Sequence, residues 1–392
     1  MDRLIKIVRI FAALLPVLMA DAASAQTIQT SAPYAVLVDY ESGSVLFEKA
    51  ADDLMAPAST AKLMTAELVF HELSLGHLKL DDTFPISENA WRKGGGVAGG
   101  SSMFAELKSR ISVEDLLRGL IVQSGNDAAI ALAEGIAGTE DAFATLMTRR
   151  ARELGMEKST FTNPWGRGDQ DQRVTAREMM KLAAHIIKTY PDYYHYFGEK
   201  EFTWNKIRQL NRNPLLTMEL GADGLKTGDI KESGFGLVGS AVQNGQRLII
   251  VINGLKSAND RAEDSRRLLN WGFRSFEPKT IFGDKDTIAN AKVYGGAAGD
   301  VSLVAASPIK MLVPRTSGEK LTAKVTYSGP LIAPVEQGKE VGTLRVFRGP
   351  NVILEVPLLT ANAVAAGTLT QRGLDAASEL GLGLFRQMIQ KK

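Results

Sequence analysis

The sequence predicts a mixed α/β domain, one sheet with helices packed on it, followed by a small all-β domain and a terminal amphipathic helix. Three observations carry this expectation. Strand-like hairpins at 34–47 and 237–252 bracket a helical middle. From Pro278 onward, short β-rich segments alternate with glycine and proline. Between Gly373 and Lys392, apolar residues recur near the helical period.

Composition bounds the function. The chain has 392 residues and a net charge of +2, which implies no basic surface on the scale that nucleic acid requires. It has no cysteine, so disulfides, cysteine metal sites and cysteine nucleophiles are excluded. Arg3, Lys6 and Arg9 precede an apolar run from Ile10 to Ala20, and Ala23-Ser24-Ala25 is a small-x-small cleavage signal. The run is too short for a bilayer-spanning anchor, so residues 1–25 are read as a secretion signal and the mature chain is expected to start at Gln26. No other stretch reaches spanning length.

The elements follow in order. Tyr34 to Asp39 reads as a strand and Ser44 to Phe47 as its return, around Glu41-Ser42-Gly43. A helix beginning at Ser59 runs to about Gly76. The glycines at 94–96 and 99–100 form a loop; no Lys-Ser/Thr follows, so it is not read as a phosphate cradle. Ser112 caps a helix to Val122, Ser124-Gly125-Asn126 interrupts it, and Asp127 to Ala133 resumes. Thr139 caps a helix to Leu154. Thr175-Ala176-Arg177-Glu178 is a capping box for a helix ending before Pro191. Asn244-Gly245 turns a hairpin between 237–242 and 247–252, and a helix from Arg261 to Phe276 closes the unit. The first and last hairpins are expected to pair in one sheet.

Six β segments fill the next part, Ile288–Val293, Ser302–Ala305, Ile309–Val313, Leu321–Tyr327, Val341–Phe347 and Val352–Val356. The terminal segment reads either as a helix docked on the β domain or, given Arg372, Arg386, Lys391 and Lys392, as one lying on an anionic membrane surface; the second is preferred. The division is therefore a signal at 1–25, a catalytic domain at 26–278, an all-β domain at 279–365 and an amphipathic helix at 366–392.

Three motifs carry the chemistry. In Pro57-Ala58-Ser59-Thr60-Ala61-Lys62, Ser59 and Lys62 lie one turn apart on one helix face, where a desolvated amine can take the hydroxyl proton. Two further Ser-x-x-Lys matches, at Ser307 and Ser317, contain Pro308 and Gly318 and read as turns. Ser124-Gly125-Asn126 sits where a bend between helices can aim a hydroxyl and an amide into a cleft. Lys226-Thr227-Gly228, expected on an edge strand, offers a charge and a hydroxyl to a substrate carboxylate, and a glycine for close backbone approach.

Together, in this order, the motifs resemble the penicillin-binding protein and serine β-lactamase set. With Gln209-Leu210-Asn211-Arg212-Asn213 and Leu268-Leu269-Asn270-Trp271-Gly272-Phe273, nearly the whole mature chain resembles a low-molecular-mass D-alanyl-D-alanine carboxypeptidase, peptidase family S11. The resemblance implies a serine β-lactamase/DD-peptidase-like catalytic domain of the α/β (α+β) class. It also implies a periplasmic enzyme on the outer face of the cytoplasmic membrane, acting on peptidoglycan pentapeptides ending in D-Ala-D-Ala. Ser59 would attack and Lys62 accept its proton. Ser124 would relay a proton to the leaving D-Ala, with Lys226 tuning the field. Asn126 would orient Lys62 and the substrate amide, and Thr227 and Arg261 would hold the terminal carboxylate. The backbone N–H groups of Ser59 and Asp229 would form the oxyanion hole. No cofactor and no metal is expected, and β-lactams should acylate Ser59.

The chain departs from the family pattern at Asp229, where His or another neutral residue is more usual. A carboxylate there is expected to weaken substrate binding or shift its pH dependence. Trp165-Gly166-Arg167-Gly168 alters the loop before Thr175, and Arg261 can also be read as a solvated residue opening a helix. The rival readings are a secreted β-lactamase and a non-catalytic cell-wall-binding relative. Against the first, 159–176 holds no Glu, only Asp169 and Asp171 as acids.

Overall fold

The computed structural model describes residues 28–315 and 321–373. The secretion signal and the amphipathic stretch at 374–392 lie outside the described residues.

Strands β1 (Tyr34–Asp39) and β2 (Val45–Lys49) form the first hairpin. Asp39 Oδ2 accepts from the Ser42 backbone N–H at 3.0 Å, and Gly43 takes φ +68°, which closes the turn. A short 3₁₀ turn, Ala58–Ala61, leads into α1 (Lys62–Ser74). Next come β3 (Thr83–Pro85), α2 (Glu88–Gly94), β4 (Arg110–Ser112), α3 (Val113–Ile121), α4 (Asn126–Ala137), α5 (Glu140–Glu153), α6 (Ala176–Thr189) and α7 (Pro191–Tyr194). A ribbon of β5 (Glu201–Trp204) and β6 (Ile207–Leu210) precedes β7 (Ala222–Ile230), β8 (Gly234–Gln243), β9 (Gln246–Leu255) and α8 (Ala258–Ser275).

The central sheet has the order β2-β1-β9-β8-β7 and is antiparallel throughout. The two expected hairpins therefore do pair, through β1 and β9. Alternation along β1 sends Val36 and Val38 into a core shared with α1, α3, α4, α5 and α6. Ala35 and Leu37 enter a second core against α8, with Leu248, Ile250, Leu268 and Leu269. Burying both faces is why these strands carry so few polar residues.

The caps behave as their chemistry dictates, with two differences. Ser112, Thr139 and Thr175 accept from Asp115, Ala142 and Glu178 N–H, each at 3.1 Å. Glu178, however, does not return to Thr175. It accepts from the Lys158 N–H and the Ser159 hydroxyl at 2.9 and 2.6 Å, because a tertiary partner outcompetes the local one. Helix α8 is capped by Ser257 rather than opened by Arg261, and it ends at Ser275. The ribbons β3–β4 and β5–β6, and helix α2, were not expected; their runs are short and mostly polar.

From β10 (Phe276–Phe282) to Thr360 the described elements are all strands. Strands β11 (Ala289–Tyr294), β12 (Asp300–Val304), β13 (Ile309–Pro314), β14 (Leu321–Tyr327), β15 (Leu331–Ile332), β16 (Glu340–Arg348) and β17 (Asn351–Thr360) follow. Strand β10 pairs with β13, and the rest form a sheet of order β14-β16-β17-β12-β11-β15. Ala291, Leu303, Met311, Leu344 and Leu358 fill their common core. Arg348 joins the two domains: Nη1 donates to the Leu46 carbonyl at 3.1 Å, and the guanidinium lies 5.5 Å from the Phe276 ring centroid.

Candidate active site

Ser59 sits in the 3₁₀ turn, one turn ahead of α1, so the hydroxyl leaves the helix axis near its N-terminus. Ala58 takes φ +48°, and the Thr60 hydroxyl donates to the Pro57 carbonyl at 2.6 Å, which pins the turn. Lys62 opens α1 and is 1 % exposed. Its Nζ donates to Ser59 Oγ at 3.2 Å, to Asn126 Oδ1 at 2.8 Å and to the Trp165 carbonyl at 2.6 Å. Burial, aided by the charges of Lys226 and Arg212 and opposed by Asp127, holds the amine well below the ordinary lysine range. A buried amine in contact with a hydroxyl is the arrangement that lets a serine attack.

Ser124 and Asn126 arrive on the α3–α4 bend. Ser124 is buried and takes φ +64°. Asn126 is the first residue of α4, and Asp127 behind it accepts from Met103 N–H, Ala105 N–H and the Ser102 hydroxyl at 2.9, 3.1 and 2.7 Å. The bend is therefore locked to the segment after the glycine-rich loop. Two of those glycines approach the bend closely: a Cβ on Gly100 would stand 3.0 Å from Asn126 Nδ2, and one on Gly94, the last residue of α2, would overlap the Asp127 backbone.

Lys226, Thr227 and Gly228 are on β7, the edge strand beside the Ser59 turn. A Cβ on Gly228 would lie 3.0 Å from Ser59 N and 2.9 Å from Thr60 N, so only glycine permits the approach. Lys226 is buried and donates to the Thr227 carbonyl at 3.1 Å. Burial, with Arg212 and Arg261, brings it down to about 7, against the pull of Asp229.

Arg261 is 7 % exposed and not solvated. The early start of α8 turns it inward, over the Phe235 ring at 5.7 Å. Among the described residues its Nε and Nη1 have no hydrogen-bond partner, and Nη1 stands 3.9 Å from Asp229 Oδ1. An incompletely hydrogen-bonded buried guanidinium close enough to Lys226 to depress its amine suits an anionic ligand.

Two contributors were missed in the sequence. Arg212, exposed between β6 and β7, depresses Lys62, Lys226 and Arg261 alike. It lay within the quoted segment 209–213, but nothing local marks an exposed arginine as facing a cleft. The other is the Trp165 carbonyl. Asn163 Oδ1 accepts from Gly166 N–H and Arg167 N–H at 2.8 and 3.0 Å, which curls the loop so that this carbonyl meets Lys62. A backbone acceptor leaves no trace in residue identity.

This two-domain fold, with its serine and two lysines at a sheet edge, defines a serine peptidase of the penicillin-binding class. The family model described as D-alanyl-D-alanine carboxypeptidase matches residues 19–257, and that described as penicillin-binding protein 5, C-terminal domain, matches 276–366. The chain is 40 % identical over 335 residues to D-alanyl-D-alanine carboxypeptidase DacC of Escherichia coli K12, covering 85 % of this chain and 84 % of that one. It is 38 % identical over 318 residues to DacA of Haemophilus influenzae, covering 80 % of each. Among solved structures, penicillin binding protein 5 from Haemophilus influenzae superposes with a TM-score of 0.74 at 35 % identity, over 86 % of this chain and 98 % of that one. Penicillin-binding protein D2 from Listeria monocytogenes, in its ampicillin-bound form, gives 0.55 at 29 % identity, over 63 % and 99 %. The chain belongs to the D-alanyl-D-alanine carboxypeptidase family.

Proposed function

We propose that this enzyme removes the terminal D-alanine from peptidoglycan pentapeptides through an acyl-enzyme on Ser59. The observation that carries the assignment is the Lys62 amine, buried and within 3.2 Å of the Ser59 hydroxyl. Ser59 Oγ attacks the carbonyl carbon of the penultimate D-Ala as its proton passes to Lys62. The oxyanion is held by the N–H groups of Ser59 and Asp229. The C–N bond then breaks, with Ser124 passing a proton to the departing amine and Lys226 shaping the field. Asn126 holds Lys62 and the substrate amide, while Thr227 and Arg261 receive the terminal carboxylate across Gly228. Water hydrolyses the ester and regenerates the serine. A β-lactam enters the same path and stalls at the acyl-enzyme.

Export rests on residues 1–25 and a peripheral membrane contact on 373–392. Among the described residues, no helix is long and apolar enough to cross a membrane. Neither rival function gains a supporting feature: the 159–176 loop supplies no glutamate, and the nucleophile and its base are both intact. D-Ala release from a pentapeptide, with labelled penicillin as a second readout, tests the reading. Ser59→Ala should abolish both while the protein remains folded. Release that survives the substitution removes Ser59 from its role.

A further inference from the structure

We propose that Asp229 is a built-in competitor for the substrate's terminal carboxylate and so sets how strongly this enzyme selects a charged chain end. The inference rests on the carboxylate-binding role given above to Arg261 and extends it to specificity.

Buried arginines are ordinarily hydrogen-bonded to saturation, since an orphaned N–H at low dielectric is costly. Arg261 departs from this, with Nε and Nη1 both buried and unpartnered. Its guanidinium lies over the Phe235 ring, and Phe235 is the cross-strand neighbour of Asp229 in the β7–β8 register. The strand pairing that builds the guanidinium's platform thus brings a carboxylate to its edge. At 3.9 Å, Asp229 Oδ1 is near enough to Nη1 to offset its charge and too far to hydrogen-bond it. The Asp229 side chain is 57 % exposed, so it can swing towards solvent.

Asp229 is therefore an anion held loosely against the donors that a substrate carboxylate needs. An incoming chain end must face that charge or displace it. A peptide ending in a neutral amide meets no such opposition and gains nothing from Arg261. Asp229 thereby reduces the preference for acids over amides, without touching the reacting carbonyl through its side chain.

The test compares wild type, Asp229→Asn and Asp229→Glu on a peptide ending in D-Ala-D-Ala as the free acid, and measures inhibition by the same peptide as its C-terminal amide. Because the side chain is more than half exposed, the effect belongs to the range of screened ion pairs. Asp229→Asn should lower KM for the acid about two- to fivefold. The gain should shrink as salt is raised from about 0.05 to about 1 M. Asp229→Glu should keep the wild-type KM, and the amide's inhibition constant should not move. In an Arg261→Gln background, adding Asp229→Asn should give no gain in affinity. An unchanged or raised KM in Asp229→Asn, an equal change for acid and amide, or a gain that persists without Arg261 overturns the proposal. A wild type that releases no D-Ala would instead overturn the assigned reaction, so the two failures are distinguishable.

Discussion

At the scale of single residues, two buried amines divide the work by their surroundings. Lys62 has no carboxylate in hydrogen-bond contact, and burial dominates its depression. A base of this kind is worth about 10²- to 10⁴-fold, so Lys62→Ala should slow labelled-penicillin acylation by that factor while leaving far-UV circular dichroism unchanged. Lys226, at about 7 against an ordinary 10.5, titrates near physiological pH. The unfolded chain binds the extra proton between these two values, so this group makes stability rise with pH from about 7 to about 10.5. Substrate binding runs the other way, because the charged amine is what attracts a carboxylate. KM for D-Ala-D-Ala peptides should therefore rise as pH climbs from about 7 to about 9. A flat KM–pH profile in wild type would remove Lys226 from carboxylate recognition.

At the scale of elements, the site depends on close backbone approaches rather than on long side chains. Gly166 takes φ +87°, and a Cβ there would come within 2.0 Å of the Ala58 carbonyl oxygen. Gly166→Ala should push the Trp165 loop off the Ser59 turn. The expected cost is about 1–3 kcal/mol of stability, with a loss of penicillin acylation larger than the loss of folded protein. Thermal unfolding and labelling at a temperature where the variant is folded separate the two. Cap chemistry at Ser112, Thr139 and Thr175 was legible because it is local. Helix α8 starts three residues before Arg261, because the Ser257 hydroxyl satisfies the Asp260 N–H there. Ser257, three residues from Asp260, is the actual start signal.

At the scale of the whole molecule, the two domains share a core. Leu312 of β13 and Phe276 pack with Leu268 and Leu269 of α8. Leu312→Ala should cost about 2–5 kcal/mol and lower the unfolding temperature, with the active-site labelling rate unchanged below that transition. The basic, apolar stretch after Gly373 predicts that a chain ending at Arg372 loses binding to anionic vesicles and keeps D-Ala release.

The sequence by itself determined the covalent order of the motifs, the hairpin turns, the caps at Ser112, Thr139 and Thr175, and the change to β texture at Pro278. Each depends on neighbours a few residues away, where spacing and side-chain chemistry suffice. It also marked Ser59, Lys62, Ser124, Asn126, Lys226, Thr227 and Gly228, because a reactive hydroxyl, an amine and a glycine at set spacings are uncommon in combination. Only the tertiary structure decided that Arg261 is buried with two nitrogens lacking a hydrogen bond among the described residues, that Arg212 bears on both lysines, and that a Trp165 carbonyl completes the Lys62 shell. Burial and charge interaction are set by what lies within a few ångströms in space, and here those groups come from segments tens to more than a hundred residues apart.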